Sequence, residues 1–202
     1  MSRITISDDL CNRLLSWAEH RLTTYEGFVL SDRSNLMPAA VLVPLFVTED
    51  GWNLLYTRRT NKVESHQGQV SFPGGACEAG DASRADTALR EAYEEIGLAP
   101  RDVRILGELP EMELITRFTV RPVVGMIPWP YEFKPAEDEV ARIFSVPLDW
   151  LADPANSYSE DRHVETQHYK VLYYKPYDGE TVWGATAYMT WQLLQALQDK
   201  SD

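Results

Sequence analysis

The sequence predicts an α/β or α+β sandwich: a mixed sheet with two or three helices against it. Three observations lead there. Apolar runs of strand length alternate with turn signals along most of the chain, two segments carry helical periodicity, and there is no repeat or low-complexity tract. A chain of 202 residues with 44% apolar and 25% charged residues can bury a sizeable core. Its length favours one domain with at most a short extension.

From the N-terminus, Ser7 can cap a helix to about His20, with Leu10, Leu14, Leu15 and Ala18 on one stripe. The polar stretch 23–35 then sets a boundary, giving an N-terminal helical extension over 1–35 and a main domain over 36–202. Residues 39–48 read as a strand, Glu49-Asp50-Gly51 as a turn and residues 52–57 as the hairpin partner. The loop Phe72-Pro73-Gly74-Gly75 leads to a helix over 83–96, capped by Asp81 or Ser83 and stopped at Gly97. Strands are expected over 103–109, 119–127 and 140–146, and Pro147 opens a short helix through Leu151. A strand over 169–174, a turn at Tyr177-Asp178-Gly179 and a helix over 184–197 complete the order.

The formal net charge of −12 argues against a nucleic-acid binder and against an anionic membrane surface. It permits an anionic small substrate, because bound divalent cations reverse the local sign. The longest apolar run, Ala39 to Val47, is too short to span a bilayer, and residues 1–10 do not form a signal peptide. Cys11 and Cys77 have no metal-ligand spacing and make no disulfide framework, so a reducing cytoplasm is the expected location.

The helix over 83–96 carries the chemistry. At roughly 100° per residue, Glu91, Glu94 and Glu95 share an arc beside a core face of Ala85, Ala88, Leu89, Ala92 and Ile96. Like charges at these spacings destabilise a helix by a few tenths of a kcal/mol per pair. Two readings explain their presence: a hard divalent cation, Mg²⁺ or Mn²⁺, held by carboxylate oxygens, or a solvated acidic face partly neutralised by Arg90. Gly74 and Gly75 allow a sharp turn or a close approach, with backbone N–H groups available to phosphate oxygens.

Gly75, the acids Glu78 and Asp81, and Arg90-Glu91-Ala92-x-Glu94-Glu95-x-Gly97-Leu98 together resemble the signature box of the Nudix hydrolases. One more residue separates Gly75 from Arg90 than in the general box. The flanks resemble the coenzyme A diphosphatase branch: 54–59, the run His66-x-Gly68-Gln69-Val70-Ser71-Phe72-Pro73-Gly74-Gly75, 87–92, Asp138-Glu139-Val140, 146–148 and 183–187. Thr60 and Glu64 depart from that branch, which has a small and a basic residue there.

The resemblance implies a Nudix-type α/β/α sandwich and metal-dependent hydrolysis of coenzyme A or acyl-CoA to adenosine 3′,5′-bisphosphate and (acyl-)4′-phosphopantetheine. Mg²⁺ or Mn²⁺ would be held by Glu91, Glu94 and Glu95 with the backbone of Gly75. Arg90 would orient a glutamate through a bidentate pair, and the general base would be Glu94, Glu95 or Glu139. Candidate substrate contacts are Arg58, Arg59 and Lys62 toward the 3′-phosphate, Gly74, and His66, which either meets phosphate or packs against the loop. Trp183 reads either as an adenine platform or as a core anchor for the last helix. A homodimer is a reasonable expectation. The alternatives are a Nudix hydrolase of ADP-ribose, NADH or a nucleotide sugar, and a non-catalytic ligand sensor of the same fold.

Overall fold

The computed structural model describes residues 35–61, 68–164 and 167–198. The expected helix over 7–20 lies outside these residues, as do Lys62, Glu64 and His66. The chain enters through β1 (Met37–Thr48), which turns into β2 (Gly51–Arg59). Two short strands, β3 (Val70–Ser71) and β4 (Gly74–Ala76), precede α1 (Arg84–Ile96). After a 3₁₀ turn at Pro100–Asp102 come β5 (Arg104–Glu108), β6 (Met112–Glu113), β7 (Phe118–Met126) and β8 (Val140–Pro147). Then follow α2 (Leu148–Leu151), a hairpin of β9 (Ser157–Val164) and β10 (Gln167–Tyr174), and α3 (Gly184–Gln198).

Eight strands form one mixed sheet, with β3-β2-β1-β7-β5 as its spine and β4, β6 and β8 paired to β1, β7 and β2. β1 and β7 run parallel from Met37↔Phe118 to Leu45↔Met126. The connection between them carries α1, which a parallel pair requires. Burial of both faces of β1 explains its nearly continuous apolar run. Val43 and Leu45 join a cluster that includes Tyr56, Phe72 and Leu193 of α3. Ala40, Leu42 and Phe46 point the other way, onto Ala88, Ala92 and Ile96 of α1. Tyr56 Oη lies 2.9 Å from Thr190 Oγ1, which ties β2 to α3 through a buried polar pair.

The expected elements that fall within the described residues form close to their expected bounds, and the strands β3, β4, β6 and β9 were not foreseen. β4 occupies the segment read as loop: Gly74 pairs with Val41, where a Cβ would come within 2.4 Å of Ala40 O. β3 and β6 are two residues each, too short for a period to register. β9, sequence SYSEDRHV, lacks the apolar alternation that marks a half-buried strand. Ser83 is the N-cap of α1, accepting the Asp86 N–H, and Gly97 ends it in the left-handed region at φ 70°. Trp183 corrects the sequence reading. It is 38% exposed and stacks on Tyr173 at 5.8 Å, so it is a surface ring and not a core anchor.

Candidate active site

The site forms where β4 meets α1. Gly75 faces the middle of the helix, and a Cβ there would lie 2.5 Å from Glu91 Oε1. Glycine is therefore what lets the Glu91 carboxylate rest against the backbone. Next to it, the Gly74 N–H hydrogen-bonds the Glu95 carboxylate. That N–H serves the helix acid.

The acidic arc is not one solvated face. Glu94 is exposed, Glu91 half-buried and Glu95 only 4% exposed. Leu89, placed on the core face by periodicity, is half-buried. Burial, with Glu91 and Glu139 nearby, pushes the Glu95 carboxyl up to about 8 against the opposing pull of Arg59. Burial also raises Glu91, with Arg90 opposing it.

Arg90 organises the other side. Its Nε and Nη2 each donate to Asp81 at 3.1 Å. Nη1 bridges Glu91 Oε1 and Glu94 Oε2, both at 2.9 Å, and Nη2 also reaches Ala76 O at 3.0 Å. The bidentate partner expected among the glutamates is thus Asp81, one of the two early acids left open by the longer box. Asp81 Oδ2 further accepts the Glu78 N–H at 2.9 Å and the Thr87 hydroxyl at 2.8 Å. Arg90 above all, and then the Glu78 N–H, hold the Asp81 carboxyl well below the usual carboxylate range. Thr87 is fully buried in α1 and gave no sequence signal of this role.

Strand pleating separates Arg58 from Arg59. Arg59 Nη1 faces Glu95 at 3.8 Å, on the α1 side. Arg58 turns to Glu180 at 3.6 Å, beside Arg142, and does not join the carboxylates. Glu139 does approach them. The Thr60 N–H donates to Glu139 O and Thr60 Oγ1 to Asp138 O, both at 2.8 Å, while the Ala136 N–H donates to Glu95 O. These bonds fasten the loop before β8 to the ends of β2 and α1, bringing an exposed carboxylate into the field of Glu91 and Glu95.

Glu91, Glu94, Glu95 and Glu139 offer hard oxygen donors with surplus negative charge, which fits a divalent cation of the Mg²⁺ class. Among the described residues no three acidic or thiol or imidazole groups converge on one point, and the Arg90 guanidinium supplies the positive charge between Glu91 and Glu94.

Comparison with known proteins places the chain in a family. The NUDIX domain profile matches residues 36–185. A protein of Pectobacterium atrosepticum described as "uncharacterized Nudix hydrolase NudL" is 42% identical over 162 residues, covering 80% of this chain and 83% of that protein. Its namesake in Cronobacter sakazakii is 39% identical over 166 residues, covering 82% and 85%. A Nudix hydrolase structure from Alicyclobacillus acidocaldarius overlays with a TM-score of 0.48 at 20% identity, covering 61% of this chain and 83% of that one. No helix among the described residues is long and apolar enough to cross a membrane. With an acidic helix seated on a glycine-rich strand and most of its length matched, the chain belongs to the NUDIX family and is a Nudix hydrolase, an enzyme of phosphorus-containing anhydrides.

Proposed function

We propose that this enzyme hydrolyses the pyrophosphate bond of coenzyme A or acyl-CoA, yielding adenosine 3′,5′-bisphosphate and 4′-phosphopantetheine or its acylated form. The observation that carries the hydrolytic part is the seating of Glu91 on Gly75 beside Glu94, Glu95 and Glu139. The substrate part is supported by the run from Gly68 through Gly75 and the flanking segments that resemble the coenzyme A diphosphatases.

Glu91, Glu94 and Glu95, with the Gly75 backbone, would hold Mg²⁺ or Mn²⁺. Such a cation screens the phosphate oxygens and lowers the pKa of bound water. Arg90, fixed by Asp81, keeps Glu91 and Glu94 in register. Glu95 is sealed from solvent and tied to the Gly74 N–H, which suits a ligand. Glu139 is exposed at the rim and suits the general base: its carboxylate takes a proton from water as the new P–O bond forms and the bridging P–O bond breaks.

The test is incubation with coenzyme A and, separately, ADP-ribose, each with Mg²⁺, Mn²⁺ or chelator, with products identified by mass. Metal-dependent release of adenosine 3′,5′-bisphosphate is the expected result. Cleavage of ADP-ribose alone would replace the substrate, a reading that Glu64 favours because the coenzyme A branch has a basic residue there. Glu94→Gln should abolish turnover while the fold persists; full turnover in it would remove the metal assignment.

A further inference from the structure

An open cavity of about 580 Å³ lies against the C-terminal half of α1. Its volume is in the range of small-molecule sites, roughly 300–1,000 Å³. Glu94 stands in its wall, so the cavity borders the carboxylate site. Tyr93, next along the helix, lines the same wall and is 57% exposed. An aromatic ring left open beside an anion-processing site is a ready stacking surface.

Two cations line the cavity as well. Arg101 comes from the 3₁₀ turn after α1, and Lys134 from the segment that follows β7. Lys134 is held in place: its N–H donates to Ile96 O at 2.9 Å, and its Cβ packs where a side chain on Gly97 would come within 2.9 Å. Its ammonium makes no ion pair among the described residues. Arg101 is 87% exposed, with Nε 3.9 Å from Asp102 Oδ1.

Of the acids in the lining, Glu94 is drawn to Arg90 and Asp102 accepts the Tyr131 hydroxyl at 2.9 Å, leaving Glu132 exposed. The lining thus sets two cations against three carboxylates; Lys134 has no ion pair among the described residues, Arg101 is loosely paired, and both stand beside an open ring. Arg58, one of the basic residues expected to meet such a phosphate, is instead engaged by Glu180.

We infer that this cavity receives the nucleoside end of the substrate, with the base on Tyr93 and a ribose phosphomonoester between Arg101 and Lys134. The inference rests on the coenzyme A reading and deepens it. It assigns the residues that separate a substrate with a third phosphate from one carrying the diphosphate alone.

The experiment measures kcat and KM with Mg²⁺ for coenzyme A and 3′-dephospho-coenzyme A, in the wild type, an Arg101→Gln/Lys134→Met double variant and Tyr93→Ala. The methionine keeps the stem that packs on Gly97. The expected result is a wild-type preference for coenzyme A. In the double variant, KM for coenzyme A rises about tenfold or more, as loss of charge-assisted hydrogen bonds implies. Its kcat, and both constants for the dephospho substrate, should stay within about twofold, which also shows that the variant is folded. Tyr93→Ala should raise KM for both substrates. A wild type indifferent to the 3′-phosphate, or a double variant with the wild-type preference, overturns the inference and leaves the activity standing. A wild type that cleaves neither substrate overturns both.

Discussion

Replacing Glu95 by glutamine in the metal-free protein should change how stability depends on pH. The folded carboxyl holds its proton up to about pH 8, against 4.5 as its ordinary value. Between those limits the folded state binds a proton that the unfolded state has released. Stability therefore falls as pH rises through this window, by about 1.4 kcal/mol per pH unit for one group. Glutamine has no proton to lose, and its Oε1 can still accept the Gly74 N–H. Any packing penalty of the amide is a constant offset. The difference in stability between Glu95→Gln and wild type should thus drift in favour of the variant by about 4 kcal/mol from pH 4.5 to pH 8. The assay is urea unfolding in chelator at pH 5, 6, 7 and 8, with the slopes of the two proteins compared so that other titrating groups cancel. Parallel slopes would refute the reasoning, because they would mean that burial does not hold Glu95 protonated. Adding Mg²⁺ should flatten the wild-type profile, since a cation replaces the proton as the compensating charge.

Three further outcomes follow from the same contacts. Gly75→Ala places a methyl 2.5 Å from Glu91 Oε1, so the carboxylate must move; kcat/KM should fall about 100-fold, in line with an ångström-scale misplacement, with an unchanged circular-dichroism spectrum. Glu139→Gln should lower kcat by about 10²–10⁴-fold if the residue is the base and leave thermal stability alone, because its backbone and not its side chain bonds Thr60. Wild-type kcat in that variant would return the role to Glu94 or Glu95. Thr190→Val removes the partner of the buried Tyr56 hydroxyl and should cost about 1–3 kcal/mol in chemical denaturation, whereas adding Tyr56→Phe should recover part of the loss.

What was legible in the sequence was local. The amphipathic spacing of Ala88, Ala92 and Ile96 gave α1 its core face, Gly97 its stop, and the run over 39–47 the central strand. The carboxylates and the glycine pair were legible too, because residue type and spacing specify them before any folding occurs. Periodicity fixes which residues share an arc of a helix; it does not say what covers that arc. For that reason Glu95 could not be told from Glu94 until β4 and Arg59 closed over one and left the other in solvent.

The sequence by itself determined the order of the longer elements among the described residues, the acid-bearing helix and the residue types of the site. The tertiary structure alone decided the rest. It set Arg59 against Glu95 and Arg58 against Glu180, chose Asp81 as the partner of Arg90, delivered Glu139 through Thr60, and turned Trp183 out to stack on Tyr173. The physical reason is common to all four. Each depends on contacts between segments far apart in sequence or on the conformation of a loop, and their energies come from burial and charge proximity that no local pattern encodes.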